Sequence, residues 1–146
     1  MTDPDAPRRP RLPDVALAPR GGGDVVPLRA RRQGTVLVLL GPAPSPEDAA
    51  ALGALADAGE ALRGWDGRVL VLLPDADAAP PDTPFPVLVD PEGRVAAAAG
   101  VAPPALVVAD QWGEVHDARA VGEGRPWPSP ADVEEWLRFL AIRCAG

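Results

Sequence analysis

Two continuous apolar runs dominate the middle of the chain, Thr35–Leu40 (TVLVLL) and Arg68–Leu73 (RVLVLL). Apolar and β-branched residues at successive positions leave no polar face, which predicts strands covered on both sides. Between them, Ser45-Pro46-Glu47-Asp48 starts a helix. Ser45 suits the N-cap, Pro46 the first helical position, and Asp48 the capping-box position. Ala49–Leu62 continues that helix, with Leu52, Leu55 and Leu62 near one face and Gly64 as its stop.

The remaining pattern is shorter-ranged. Residues 12–28 predict two short extended pieces around Arg20-Gly21-Gly22-Gly23-Asp24, the second carrying Val25, Val26 and Leu28. Pro74–Pro84 reads as an acidic loop, Phe85–Val89 as an extended piece and Arg94–Ala99 as a helical turn or two. Ala105–Ala109 is a third apolar strand. Asp110-Gln111-Trp112-Gly113 is a turn, and Glu114–Ala118 its hairpin partner. After a loop over Gly122–Pro128, Ser129-Pro130-Ala131-Asp132 repeats the helix-start pattern. The last helix runs to about Arg143, with Val133, Trp136, Leu137, Leu140 and Ile142 as its apolar set. Trp136 and Phe139 are expected to pack it onto the sheet. Strand–helix–strand units with a hairpin at one edge predict one α/β domain, a central mixed sheet of four or five strands with helices on both faces.

Composition narrows the chemistry. A chain of 146 residues suits one domain of about 100–150 residues. Residues 12–146 are assigned to it, and the polar, Pro-rich residues 1–11 to a flexible tail. The single Cys144 excludes an internal disulfide and any multi-cysteine metal site. The single His116 argues against histidine-rich metal sites and against most Ser-His or Cys-His nucleophile systems. A net charge of -7 argues against non-specific nucleic-acid binding. No apolar run reaches the length of about 18 residues that a membrane span needs. Nor does Met1–Arg11 hold the apolar run of a signal peptide. A cytoplasmic location is the expectation.

Four segments in order resemble the thioredoxin-like superfamily, specifically its redoxin branch of alkyl hydroperoxide reductases and peroxiredoxins. They are LPDVALAPRGGGDVVPL (12–28), GTVLVLLGPAPSPEDAAALGAL (34–55), PFPVLVDPEGRVAAAAGV (84–101) and PPALVVADQWGEV (103–115). The resemblance implies a thioredoxin-like fold over about residues 12–143. It also implies a redox site between the first core strand and its helix, where the family carries Cys-x-x-Cys or Thr/Ser-x-x-Cys. Here Ser45-Pro46-Glu47-Asp48 stands in that place, with Asp48 at the peroxidatic cysteine and Gly41 where a proline is expected. A carboxylate can occupy the electropositive helix start that favours a thiolate, but it forms neither a disulfide nor a sulfenic acid.

Two readings of Ser45 and Asp48 stay open, a degenerate site recast for binding or a well-capped helix. Pro103 and Pro104 stand where the family holds a cis-proline that docks substrate, Pro104 being the better candidate. With Ser45 and Trp112 they are the candidate binding residues. Trp112 and Trp127, in a turn and a loop, would mark a contact surface if both are exposed. His116 is expected on the exposed face of the hairpin strand. Cys144 is either an unremarkable tail thiol or a reactive one. The favoured function is a redox-inactive binding or accessory subunit for a protein partner. The alternative is a thiol-dependent, peroxiredoxin-like oxidoreductase working through Cys144 and a partner thiol. No cofactor or metal is expected, Asp75, Asp77 and Asp82 lacking a calcium loop's spacing. A homodimer is an open possibility.

Overall fold

The computed structural model describes residues 9–145, with side chains through Arg143. Two short strands, β1 (Ala16–Leu17) and β2 (Val26–Pro27), form an antiparallel pair. The main sheet holds β3 (Gly34–Leu39), β4 (Gly67–Leu73), β5 (Val87–Val89), β6 (Ala105–Ala109) and β7 (Val115–Ala120), in the order β5-β4-β3-β6-β7. β3, β4 and β5 run parallel, and β6 and β7 are antiparallel additions. The helices are α1 (Pro46–Asp57), α2 (Gly59–Gly64), α3 (Arg94–Ala99) and α4 (Pro130–Ala145).

The apolar runs are explained by what covers each face. Alternate residues of β3 and β4 point to opposite sides. Val36, Val38, Val69 and Val71 join Leu52, Leu55 and Leu62 and α4's Val133, Leu137 and Leu140 in one buried cluster. Leu37, Leu39, Leu70 and Leu72 join Leu12, Leu28, Val95 and Ala99 in the other. A buried Leu of this kind contributes about 1.5–3 kcal/mol. Gly34 and Gly67, paired across β3 and β4, lie under Leu137. A methyl group at Gly67 would collide with Leu137 and with the Leu62 carbonyl oxygen, so two glycines let α4 settle close to the sheet.

Four local expectations need correction. The helix after Ser45 is two helices, because Ala58 (φ -90°, ψ 5°) ends α1 and Gly59 begins α2. The hairpin partner runs to Ala120 rather than Ala118. Arg9–Arg11 do not trail free: Val115 N–H donates to the Pro10 carbonyl at 2.8 Å, Arg11 bridges to Glu114, and Arg9 ion-pairs with Glu114 at 3.4 Å. Residues 1–8 of that segment lie outside the described residues. On α4, Trp136 is half-buried against the core, whereas Phe139 and Ile142 are exposed, because Val133, Leu137 and Leu140 already fill the stripe facing the sheet.

Candidate functional site

The C-terminal ends of β3 and β4 form one end of the sheet, and α1 starts beside it. Ser45 Oγ accepts the Asp48 N–H at 3.2 Å, and Asp48 Oδ2 accepts the Ser45 N–H at 2.9 Å, a closed capping box. Sequence reasoning missed the third partner. Trp127, brought in by the loop before α4, donates its indole N–H to Asp48 Oδ1 at 2.9 Å. Asp48 is buried, and both its oxygens are bonded. That satisfies the demand that a buried carboxylate be hydrogen-bonded, and leaves neither oxygen idle. Trp127 is therefore half-buried rather than the exposed aromatic expected of a contact surface.

Pro103 and Pro104 lie at the same end, since Ala105 pairs with Leu39 in the β3–β6 register. The Pro103–Pro104 peptide bond is cis, at the proline expected. Pro103, Leu40, Leu73, Pro74 and Ala96 border a cavity of about 220 Å³.

Trp112 is not part of this surface. Thr35 pairs with Ala109, so the turn after β6 lies at the opposite end of the sheet. The length of β6 alone, roughly 13 Å at about 3.3 Å per residue, separates the two. A single groove through Ser45, Pro104 and Trp112 is therefore not formed. Trp112 is exposed, at 56%.

That far end holds a second buried carboxylate. Asp110 Oδ1 accepts the N–H groups of Trp112 and Glu114, each at 3.0 Å. Its Oδ2 lies 2.9 Å from His116 Nε2. His116 was expected on an exposed face, yet its side chain is 1% exposed. The physical reason is a β-bulge between Val108 and Ala109, which pair with Asp117 and Val115 and leave His116 as the extra residue. The imidazole turns under α4, its centroid 6.4 Å from the rings of both Trp136 and Phe139.

Asp110, Glu114 and His116 bring one ligand atom each within 4.8 Å of one another. They fit a hydrogen-bonded network better than a metal centre. His116 Nδ1 is buried with no partner, so the ring is cheapest with Nε2–H donating to Asp110 and a bare lone pair on Nδ1. A metal on Nε2 would move that proton to Nδ1, where no acceptor waits.

Cys144 belongs to the last turn of α4, and its side chain lies outside the described residues. The helix starts beside Trp127 and reaches the far end by Leu140 and Ala141, which border a cavity with Gly34 and Asp110. Position 144 is thus carried away from Ser45 and Asp48. Among the described residues no helix is long and apolar enough to cross a membrane.

No protein-family profile and no curated relative matches the chain. Solved structures do. A putative thiol:disulfide interchange protein DsbE from Chlorobium tepidum aligns with a TM-score of 0.65 at 19% identity, over 96% of this chain and 99% of that one. An uncharacterized thioredoxin-like protein from Porphyromonas gingivalis gives 0.67 at 18% identity, over 94% and 95%. The exposed lipoprotein thioredoxin Etrx1 from Streptococcus pneumoniae also gives 0.67 at 18%, over 88% and 100%. With the five-stranded mixed sheet, helices on both faces and a cis-proline before β6, these likenesses establish that the chain has a thioredoxin-like fold.

Proposed function

We propose that this chain acts without thiol chemistry, as a binding or accessory subunit for a protein partner. The observation that carries the reading is Asp48. It stands where the resemblance places a cysteine, and both its oxygens are engaged by Ser45 and Trp127. A residue so fully occupied caps a helix and offers no nucleophile. We assign the partner surface to Ser45, Pro103 and Pro104 at this end of the sheet, where Pro103 borders the apolar cavity beside β3, β4 and α3. Trp112 drops out of it. The reading carries with it a cytoplasmic location.

A second reading takes support from the structural neighbours, one of which is named as a putative thiol:disulfide interchange protein and another as a putative protein disulfide isomerase. In it, hydrogen peroxide oxidises the Cys144 thiol to a sulfenic acid with release of water, and a partner thiol condenses with that sulfenic acid to a mixed disulfide, releasing a second water. Peroxide consumption driven by dithiothreitol separates the two, with Cys144→Ser alongside the natural chain. The first reading expects no turnover above the dithiothreitol background in either. Turnover that disappears in Cys144→Ser overturns it. A partner captured by the natural chain and lost on Pro103→Arg supports the assigned surface, and one retained by that variant removes it.

A further inference from the structure

Beside the buried stripe of α4 runs a second one that the sheet does not cover. Asp132, Glu135, Trp136 and Phe139 stand at i, i+3, i+4 and i+7 and so share one side of the helix. With Arg119 of β7 they border a cavity of about 380 Å³. Pockets for small ligands run from roughly 300 to 1,000 Å³, so this one suits a compact molecule.

Its walls are aromatic. The Trp136 and Phe139 rings lie 5.9 Å apart, centroid to centroid, with their planes at 86°, so together they make a corner. Trp136 is held against the core, whereas Phe139 is 45% exposed. The border is also anionic. Among the described residues, neither the Asp132 nor the Glu135 carboxylate joins an ion pair. Arg119 is already paired, its Nε 2.9 Å from Asp117 Oδ2. The charge left over at the cavity is negative.

That combination discriminates among ligands. An anion meets two carboxylates. A neutral apolar molecule uses the rings and leaves the charge unanswered. A primary ammonium carries three N–H donors and a tight water shell, and ring faces supply no acceptor lone pairs to replace that water. A fully alkylated ammonium has no donor to satisfy. It is attracted by the negative faces of aromatic rings and by nearby carboxylates. Phe139 already holds one cation of low hydration, the Arg143 guanidinium, 5.6 Å from its centroid. Arg143 lies one turn further along α4 and is not among the residues that border the cavity.

We propose that this cavity binds the quaternary ammonium group of a small soluble ligand. The choline-like head would sit in the corner of Trp136 and Phe139, with Asp132 and Glu135 balancing its charge. The inference goes beyond the proposed function and does not rest on it.

Titration of the full chain with choline chloride, against sodium chloride at equal ionic strength, tests it. The readout is the Trp136 indole N–H signal in proton–nitrogen NMR. A saturable shift is expected, with a dissociation constant below about 10 mM. Ethanolamine lacks the methyl groups, and the carbon isostere of choline lacks the charge. Each is expected to bind at least about tenfold more weakly. Phe139→Leu removes one wall at an exposed position, and Asp132→Asn with Glu135→Gln removes the charge. Either change is expected to weaken choline at least about tenfold, while Trp112→Ala, at the other exposed indole, leaves binding as it was. If the double variant is destabilised, Glu135→Gln decides alone. Absence of a saturable shift overturns the proposal, as does binding that survives loss of the charges or equal binding of the uncharged isostere. A trimethyllysine peptide or phosphocholine vesicles binding at least about tenfold tighter than choline would overturn the assignment to a small soluble ligand.

Discussion

Asp48 and Asp110 are both buried at ends of the same sheet, and each accepts backbone N–H and one ring N–H. They differ in what brings their ring partners in: His116 lies six residues from Asp110 and reaches it through a bulge, whereas Trp127 lies 79 residues from Asp48. The Asp48 cap is closed within three residues, and its distant partner, Trp127, is an addition to a box already complete. Asp110 orders its own turn by accepting from Trp112 and Glu114, and its third partner, His116, reaches it because β7 bulges and tucks the imidazole under α4. The first needs a helix start alone. The second needs a sheet, a bulge and a helix in place together. A carboxylate that finishes a local motif should thus be worth less to stability than one that ties three elements.

Substitutions that shorten each carboxylate put that ordering at risk. Asp110→Ala leaves two turn N–H groups and His116 Nε2 without their acceptor. It is expected to lose about 3–4 kcal/mol in urea unfolding. Asp48→Ala removes the capping box and strands the indole N–H, for about 2 kcal/mol by the same method. If Asp48→Ala costs as much as Asp110→Ala, the contrast between a carboxylate that completes a helix cap and one that joins a turn to a bulge fails. Trp127→Phe leaves a smaller aromatic ring and deletes the indole donor, so about 1–2 kcal/mol is expected from thermal or urea melts. Trp112→Ala, at an exposed ring beside the Asp110 turn, should stay within about 0.5 kcal/mol. A larger loss there would make Trp112 part of the turn's support.

The same contrast marks what was legible in the sequence. The apolar runs at 35–40 and 68–73 predicted the buried strands, because each is covered on both faces and neither needs knowledge of its neighbours. Ser45 and Asp48 were legible as a cap, since a capping box is written in four consecutive residues. The cis bond at Pro104 came from resemblance, not from local physics. His116 was misplaced because strict alternation along β7 fails at a bulge, which depends on the partner strand. Trp112 was grouped with Ser45 for want of a register, and the antiparallel pairing of β3 with β6 sends it to the other end. Trp127's bond to Asp48 joins residues far apart in sequence, where no spacing rule applies.

The carboxylate at position 48 is a structural cap tied to Trp127. A double-mutant cycle of Asp48→Ala and Trp127→Phe in urea unfolding tests it most directly. The account predicts that each change destabilises and that the pair couples by about 1 kcal/mol, because both remove one shared hydrogen bond. An Asp48→Ala variant as stable as the natural chain, or more so, with no coupling to Trp127→Phe, would contradict it. A buried charge that the fold does not need is kept for something else.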